Sequence, residues 1–312
     1  MSDWGKGVNN DIGWGQGANN DIGWGSIYDK SYAGETLLGG GGFEGILNQF
    51  PGASLGLSLE LLDKDYSGFC IKVRRSSDNA EKNIGFVNNV LDASSLMTFA
   101  GSDTVTVTIW YDQSGSGNNA TQTQGSKQPM IVDAGTLIRI EGQAAIQSDG
   151  IDDMMLIGTA IDLYTLASVW SVFLVSKIKD FDDESFQRII SNTTLPSAPD
   201  IPFLIQSRDD GDLFFGANGD STTLENTDIT LESLTTNIKT SSDTFNQTGS
   251  VSITGSFGTL DKTTGLEPLF IMGTGNDERN SKAAYKEVLI WEVDQTANKT
   301  PIQSSMNERY NL

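Results

Sequence analysis

The sequence predicts an all-β fold, two packed antiparallel sheets, preceded by an extended arm rich in tryptophan and glycine. Glycine is abundant, at 34 of 312 residues, alongside much Ser, Thr and Asn and few helix formers. Apolar residues make up 37% of the chain and fall in many short runs rather than long ones. Turn signals such as Asp149-Gly150, Asp210-Gly211 and Asn218-Gly219 separate those runs. Short strands spaced this evenly fold as two sheets facing each other.

The arm comes first. Trp4, Trp14 and Trp24 recur at ten-residue intervals in a Gly- and Asn-rich stretch, with Ile12 and Ile22 two residues before the second and third. Such a stretch has too little apolar area to offset its ordering entropy, so it builds no core alone. Its indoles suit anchoring in pockets of another protein, where each buries much area. The alternative is a flexible tail with exposed indoles. The arm is expected at 1–34, a flexible linker around Gly39-Gly40-Gly41-Gly42 at 35–45, and the β domain at 46–312.

Within the domain, 47–63 combines Pro51-Gly52 with a Leu-rich stretch that has room for a short helix. Residues 68–74 read as a strand, and 92–97 as a helix capped by Asp92. Val105, Val107 and Ile109 alternate with threonines, the pattern of a half-buried strand. Further strands are expected at 130–133, 137–141, 145–148, 154–157, 168–177, 187–191, 203–208, 213–217, 250–254, 269–272 and 286–292. A helix at 302–310 follows Pro301.

The charge balance excludes several functions. With 41 acidic against 20 basic residues the net charge is -21, which repels phosphate backbones and anionic lipid surfaces. No nucleic-acid partner and no membrane insertion is expected, and no apolar run has the length of a bilayer. The chain has no histidine, which removes Ser-His-Asp and Cys-His catalysis and histidine metal sites. The one cysteine, Cys70, sits in a strand-like setting and reads as a buried, inert thiol. The start of the chain carries no basic region followed by an apolar stretch, so cytoplasmic synthesis without a secretory signal is expected.

The run Trp110-Tyr111-Asp112-Gln113-Ser114-Gly115-Ser116-Gly117-Asn118-Asn119 resembles a motif of the α-L-arabinofuranosidase B catalytic domain, glycoside hydrolase family 54. Segments 71–79 and 84–86, the turn Asp149-Gly150-Ile151-Asp152-Asp153 and the segment 285–291 resemble versions of this domain found in phage and bacterial surface proteins. The resemblance runs from about Ile46 to the end and implies a concanavalin A-like jelly-roll sandwich. The Trp-Gly repeats and the segment 294–307 resemble bacteriophage virion proteins.

That second resemblance implies a virion structural protein, a fibre, spike or decoration subunit rather than an enzyme, assembled in the host cytoplasm. Residues 1–34 would dock it on capsid or tail proteins. A homotrimer would then present the lectin-like domain to host-surface glycans through Trp110, Tyr111, Asp112, Gln113 and Asn118. The competing reading of that run is turn chemistry, with Asp and Ser capping backbone amides and Gly115 and Gly117 supplying positive φ.

The alternative function is a glycosidase acting on envelope polysaccharide. The run Gly273-Thr274-Gly275-Asn276-Asp277 resembles the loop that carries the family's acid/base aspartate, which would give Asp277 that role. The family's paired vicinal cysteines have no counterpart, and no segment matches the one bearing its nucleophilic glutamate. No cofactor is expected. The exception would be Ca²⁺, held by Asp149, Asp152 and Asp153 or by Asp209, Asp210 and Asp212, against plain solvation of acidic turns.

Overall fold

A computed structural model describes residues 43–158, 161, 163, 169–178, 186–192, 203–208, 212–217, 220–225, 232–241, 243–255, 268–274 and 280–312. The expected docking residues Trp4, Ile12, Trp14, Ile22 and Trp24 lie outside them, as does the expected linker up to Gly42. The description below concerns the unit Glu44–Leu312.

In chain order the elements are α1 (Ile46–Gln49), β1 (Leu55–Ser58), β2 (Ile71–Arg75), β3 (Glu81–Ile84), β4 (Phe86–Val87), β5 (Val90–Leu91) and α2 (Ala93–Ala100). There follow β6 (Val105–Trp110), β7 (Ala120–Thr121), β8 (Met130–Asp133), β9 (Thr136–Leu137), β10 (Arg139–Ile140), β11 (Gln143–Ala144), β12 (Ile146–Gln147) and β13 (Met155–Gly158). Next come β14 (Trp170–Ile178), β15 (Phe186–Ser191), β16 (Leu204–Arg208), β17 (Leu213–Ala217), β18 (Asp220–Leu224), β19 (Ser233–Lys239), β20 (Thr244–Thr248) and β21 (Val251–Gly255). The chain ends with β22 (Leu269–Ile271), β23 (Ala283–Trp291) and α3 (Lys299–Tyr310).

The fold is all-β with antiparallel strand pairing. Nineteen of the described strands form one hydrogen-bonded network, while β4–β5 and β10–β11 are separate hairpins. One branch runs from β23 through β14, β19 and β20 to β21, with β1 and β12 both along the other side of β23. The second branch runs from β3 through β2 to β6, which pairs with both β7 and β8. From β7 it continues through β13, β22, β15 and β16 to β17 and β18. The pairing Gln147↔Met130 between β12 and β8 joins the branches. The two sheets expected from the sequence are thus one nearly closed network.

Both long strands of the first branch are buried along their length, because each of their faces meets a packed layer. Trp170, Val172, Leu174, Val288 and Ile290 enter the main core with Ile71, Val105, Trp110, Met155, Ile205 and Phe215. Phe173, Val175, Leu289 and Trp291 pack instead with Ile46 and Leu47 of α1 and Ile302, Met306 and Tyr310 of α3. Removing such a side chain to alanine costs about 2–5 kcal/mol. A β-bulge fixes the docking of α3. The register shifts between Val175 and Ser176, which leaves Lys286 as an extra residue beside Glu287. Arg309 grips Glu287 with two charge-assisted hydrogen bonds of 2.8 and 2.5 Å, Tyr310 donates a third at 2.8 Å, and Lys286 forms a buried ion pair with Glu232.

The expected helix at 92–97 is α2, and the Asp92 carboxylate accepts from the Ser95 amide at 2.9 Å. Cys70 is fully buried. Where 137–141 and 145–148 were expected as two strands, four short ones occur. Glu141 and Gly142 both adopt positive φ, at 45° and 84°, and turn the chain between β10 and β11.

Candidate functional site

The motif after β6 folds into a turn whose polar atoms are spoken for. Asp112 is 5% exposed, and its carboxylate accepts four hydrogen bonds. They come from the amides of Gly56 at 2.8 Å, Ser114 at 2.9 Å and Asn118 at 2.9 Å, and from the Ser114 hydroxyl at 2.8 Å. The Gln113 side chain accepts from the Leu62 amide at 2.8 Å and donates to the carbonyls of Ser58 and Glu60. Asn118 donates to the Ser54 carbonyl at 2.8 Å, and Trp110 is fully buried in the main core. Gly115 and Gly117 have φ of 83° and 79°. Asp112, Gln113 and Asn118 thus hold β1 and its flanking residues against the end of β6, while Trp110 fills the core. Tyr111 differs. It is half-buried, its hydroxyl donates to the exposed Asn83 at 3.0 Å, and its ring lies 6.2 Å from that of the exposed Phe69.

Strand register builds a second, acidic region. Met155 pairs with Ile271, Ile271 with Ile190, and Phe186 with Arg208. These antiparallel pairings set four segments at one end of the sheet: the turn before β13, the residues after β22, the start of β15 and the end of β16. Asp149, Asp152 and Asp153 therefore share an end with Thr274 and Asn280, which flank 275–279, and with Arg208 and Asp212, which flank 209–211. Asp277, Asp209 and Asp210 themselves lie outside the described residues.

Hydrogen bonds lace these segments together. Asn280 donates to the Ile151 carbonyl at 2.8 Å and accepts from the Thr274 amide at 3.1 Å. The Lys282 amide donates to Gln187 at 2.9 Å, and the Ser191 hydroxyl to the Gly273 carbonyl at 3.1 Å. A Cβ on Gly273 would lie 1.8 Å from the Asn280 side-chain oxygen, so the close approach requires glycine. Arg188 is fully buried on β15, and its backbone pairs with that of Asn280 in an isolated β-bridge.

In the turn 149–153, one Asp149 oxygen accepts the amides of Ile151, Asp152 and Asp153 at 2.8, 3.3 and 3.4 Å. Asp153 accepts the Asp149 amide at 3.0 Å. Oxygens of the three carboxylates lie within 4.8 Å of one another. Burial, and then the neighbouring charges of Asp149 and Asp152, push the Asp153 carboxyl up to about 7. It therefore exchanges a proton near neutral pH, which an ordinary aspartate does not. The same three residues could hold a hard cation such as Ca²⁺. Backbone donors already fill one oxygen of Asp149 and one of Asp153.

The sequence alone did not single out Gln187, Arg188 or Asn280. They carry no local signal, because only the register of β22 against β15 makes them neighbours.

Residues 58–146 match the family described as Alpha-L-arabinofuranosidase B, catalytic. Among solved structures, an arabinofuranosidase complexed with arabinofuranosyl-α-1,2-xylobiose is 16% identical over 81% of this chain and 62% of that one, with a TM-score of 0.61. A family 54 α-L-arabinofuranosidase soaked with a cyclic sulfate inhibitor is 15% identical over 81% of this chain and 63% of that one, with a TM-score of 0.60. The chain thus spans less than two thirds of the length of these structures. No curated protein matches the chain.

These findings overturn the expected virion fibre, spike or decoration subunit, and with it the expectation of a chain that is not an enzyme. The matched family and the structures named above are those of arabinofuranosidases. The segment 294–307 that suggested a virion is the approach to and body of α3, whose Ile302 and Met306 cover Phe173 and Trp291. The chain shares the fold of the arabinofuranosidases over about four fifths of its length.

Proposed function

We propose that this chain is a glycoside hydrolase, built on a concanavalin A-like jelly roll, that cleaves arabinofuranosyl bonds in a polysaccharide. The match of residues 58–146 to an arabinofuranosidase catalytic family carries the reading, and the shared fold supports it. Glycosidic cleavage needs one carboxyl that protonates the leaving oxygen and a second carboxylate that attacks the sugar or activates water. The acidic end of the sheet is the region with the residues for this. Asp277 takes the acid/base role by the likeness of Gly273-Thr274-Gly275-Asn276-Asp277 to the family's loop, and both described flanks of that loop reach this end. The Asp153 carboxyl, raised to about 7, supports a setting in which a carboxyl is partly protonated at neutral pH.

The test is release of 4-nitrophenolate from 4-nitrophenyl α-L-arabinofuranoside by the full chain. Turnover is expected, and Asp277→Asn should lower it at least about a hundredfold with the fold intact. Retained turnover in that variant would remove Asp277 from the mechanism.

A further inference from the structure

Far from the acidic end, the chain displays a group of aromatic rings. Ile71 at the start of β2 pairs with Trp110 at the end of β6 and with Ile84 at the end of β3. Residues 66–69, Phe86 and Tyr111 therefore gather at one end of these strands. Ile109 pairs with Thr121, and Thr121 with Leu156, so the acidic turn before β13 lies at the opposite end. Tyr66 and Phe86 meet edge to face at 6.3 Å, and Phe69 and Tyr111 meet tilted at 6.2 Å. Phe69 is 47% exposed, and beside it the β4–β5 hairpin exposes Val87 by 50% and Val90 by 45%.

This surface is held rigidly. The Tyr66 hydroxyl donates to the Phe69 carbonyl at 2.8 Å, and a Cβ on Gly68 would lie 2.3 Å from that hydroxyl. The hairpin is tied down by the Leu61 amide on the Asn89 carbonyl at 2.7 Å and the Leu91 amide on Leu59 at 2.8 Å. Apolar side chains held together in water on a preorganised surface, rimmed by polar residues, suit the binding of a partner.

We propose that Tyr66, Phe69, Phe86 and Tyr111 form a polysaccharide-binding surface, remote from the acidic end, that holds a neutral polymer during cleavage. Aromatic rings stack on the apolar C–H faces of sugars, and here Phe69 is exposed while Tyr66, Phe86 and Tyr111 are half-buried around it. Exposed Asn83, Asn88 and Asn89 stand among them as donors and acceptors for sugar hydroxyls. A net charge of -21 disfavours polymers rich in uronate or phosphate, which leaves a neutral one. The inference rests on the hydrolase reading for its polymer, a xylan carrying arabinofuranosyl branches.

The experiment compares the full chain with Phe69→Ala/Tyr111→Ala. It measures co-sedimentation with insoluble arabinoxylan, hydrolysis of soluble arabinoxylan, and turnover of the small furanoside. Binding should fall at least tenfold and KM for the polymer should rise in proportion, with small-substrate turnover unchanged. A second variant, Val87→Ser/Val90→Ser, alters only exposed side chains of the hairpin and should weaken binding in the same direction. Unchanged polymer binding in both variants overturns the surface. So does a chain that dimerises through these residues while binding polymer as before. If the unmodified chain binds arabinoxylan through Phe69 and Tyr111 yet turns over no furanoside, the hydrolase reading fails and the surface stands.

Discussion

Asp112 and Asp153 are both buried aspartates in glycine-bearing turns, 5% and 4% exposed, and they are held in opposite ways. Asp112 receives four hydrogen bonds, which replace the water lost on burial. Asp153 receives one from the Asp149 amide and faces two other carboxylates. The first is a fastener of the fold. The second is a group whose charge answers to pH. A conspicuous motif can serve structure, while chemical responsiveness lies where burial and like charge are left uncompensated.

The contrast breaks most visibly at Asp112. Asp112→Ala orphans three backbone donors and one hydroxyl, and should cost about 3–5 kcal/mol in urea unfolding. A loss below about 1 kcal/mol would show that the turn does not fasten β1 to β6.

Asp153 predicts a smaller effect with a pH signature. Its native value of about 7 lies above that of an unfolded aspartate. The native state therefore holds the proton more tightly. The resulting stabilisation is complete below about pH 4 and is lost as pH rises through about 7. Asp153→Asn removes this dependence, so variant minus unmodified stability should grow by on the order of 2–4 kcal/mol from pH 5 to pH 8. A difference that stays constant over that range contradicts the crowded-carboxylate account. Asn118→Ala should cost least, about 1 kcal/mol with no pH dependence, since one hydrogen bond to the Ser54 carbonyl is lost. Equal losses for Asn118→Ala and Asp112→Ala would move the turn's strength from the carboxylate to its surroundings.

Much of the fold was legible where signals are local. The Asp92 cap announced α2, Pro301 announced α3, and the apolar runs at 130–133 and 213–217 became β8 and β17. Strands β19 and β20 left no such trace. Their inward positions are Thr235, Asn237, Thr244, Asn246 and Thr248, all buried, so apolar alternation is missing. Polar partners take its place: Trp170 donates to Asn237 at 2.6 Å, and Asn237 to Asn246 at 2.5 Å. The acidic turn 149–153 was visible as a group of carboxylates, but its environment was not. Gln187, Arg188, Thr274 and Asn280 reach it only through pairings between strands far apart in sequence. The same holds for Phe69 and Tyr111, which β2 and β6 bring together.

Hydrolysis is tested by the pH–rate profile of 4-nitrophenyl α-L-arabinofuranoside cleavage by the full chain, with Asp277→Asn alongside. Cleavage is expected between about pH 4 and 8 and should collapse in the variant. An unmodified chain that is folded yet releases no nitrophenolate at any pH in that range would contradict the hydrolase reading.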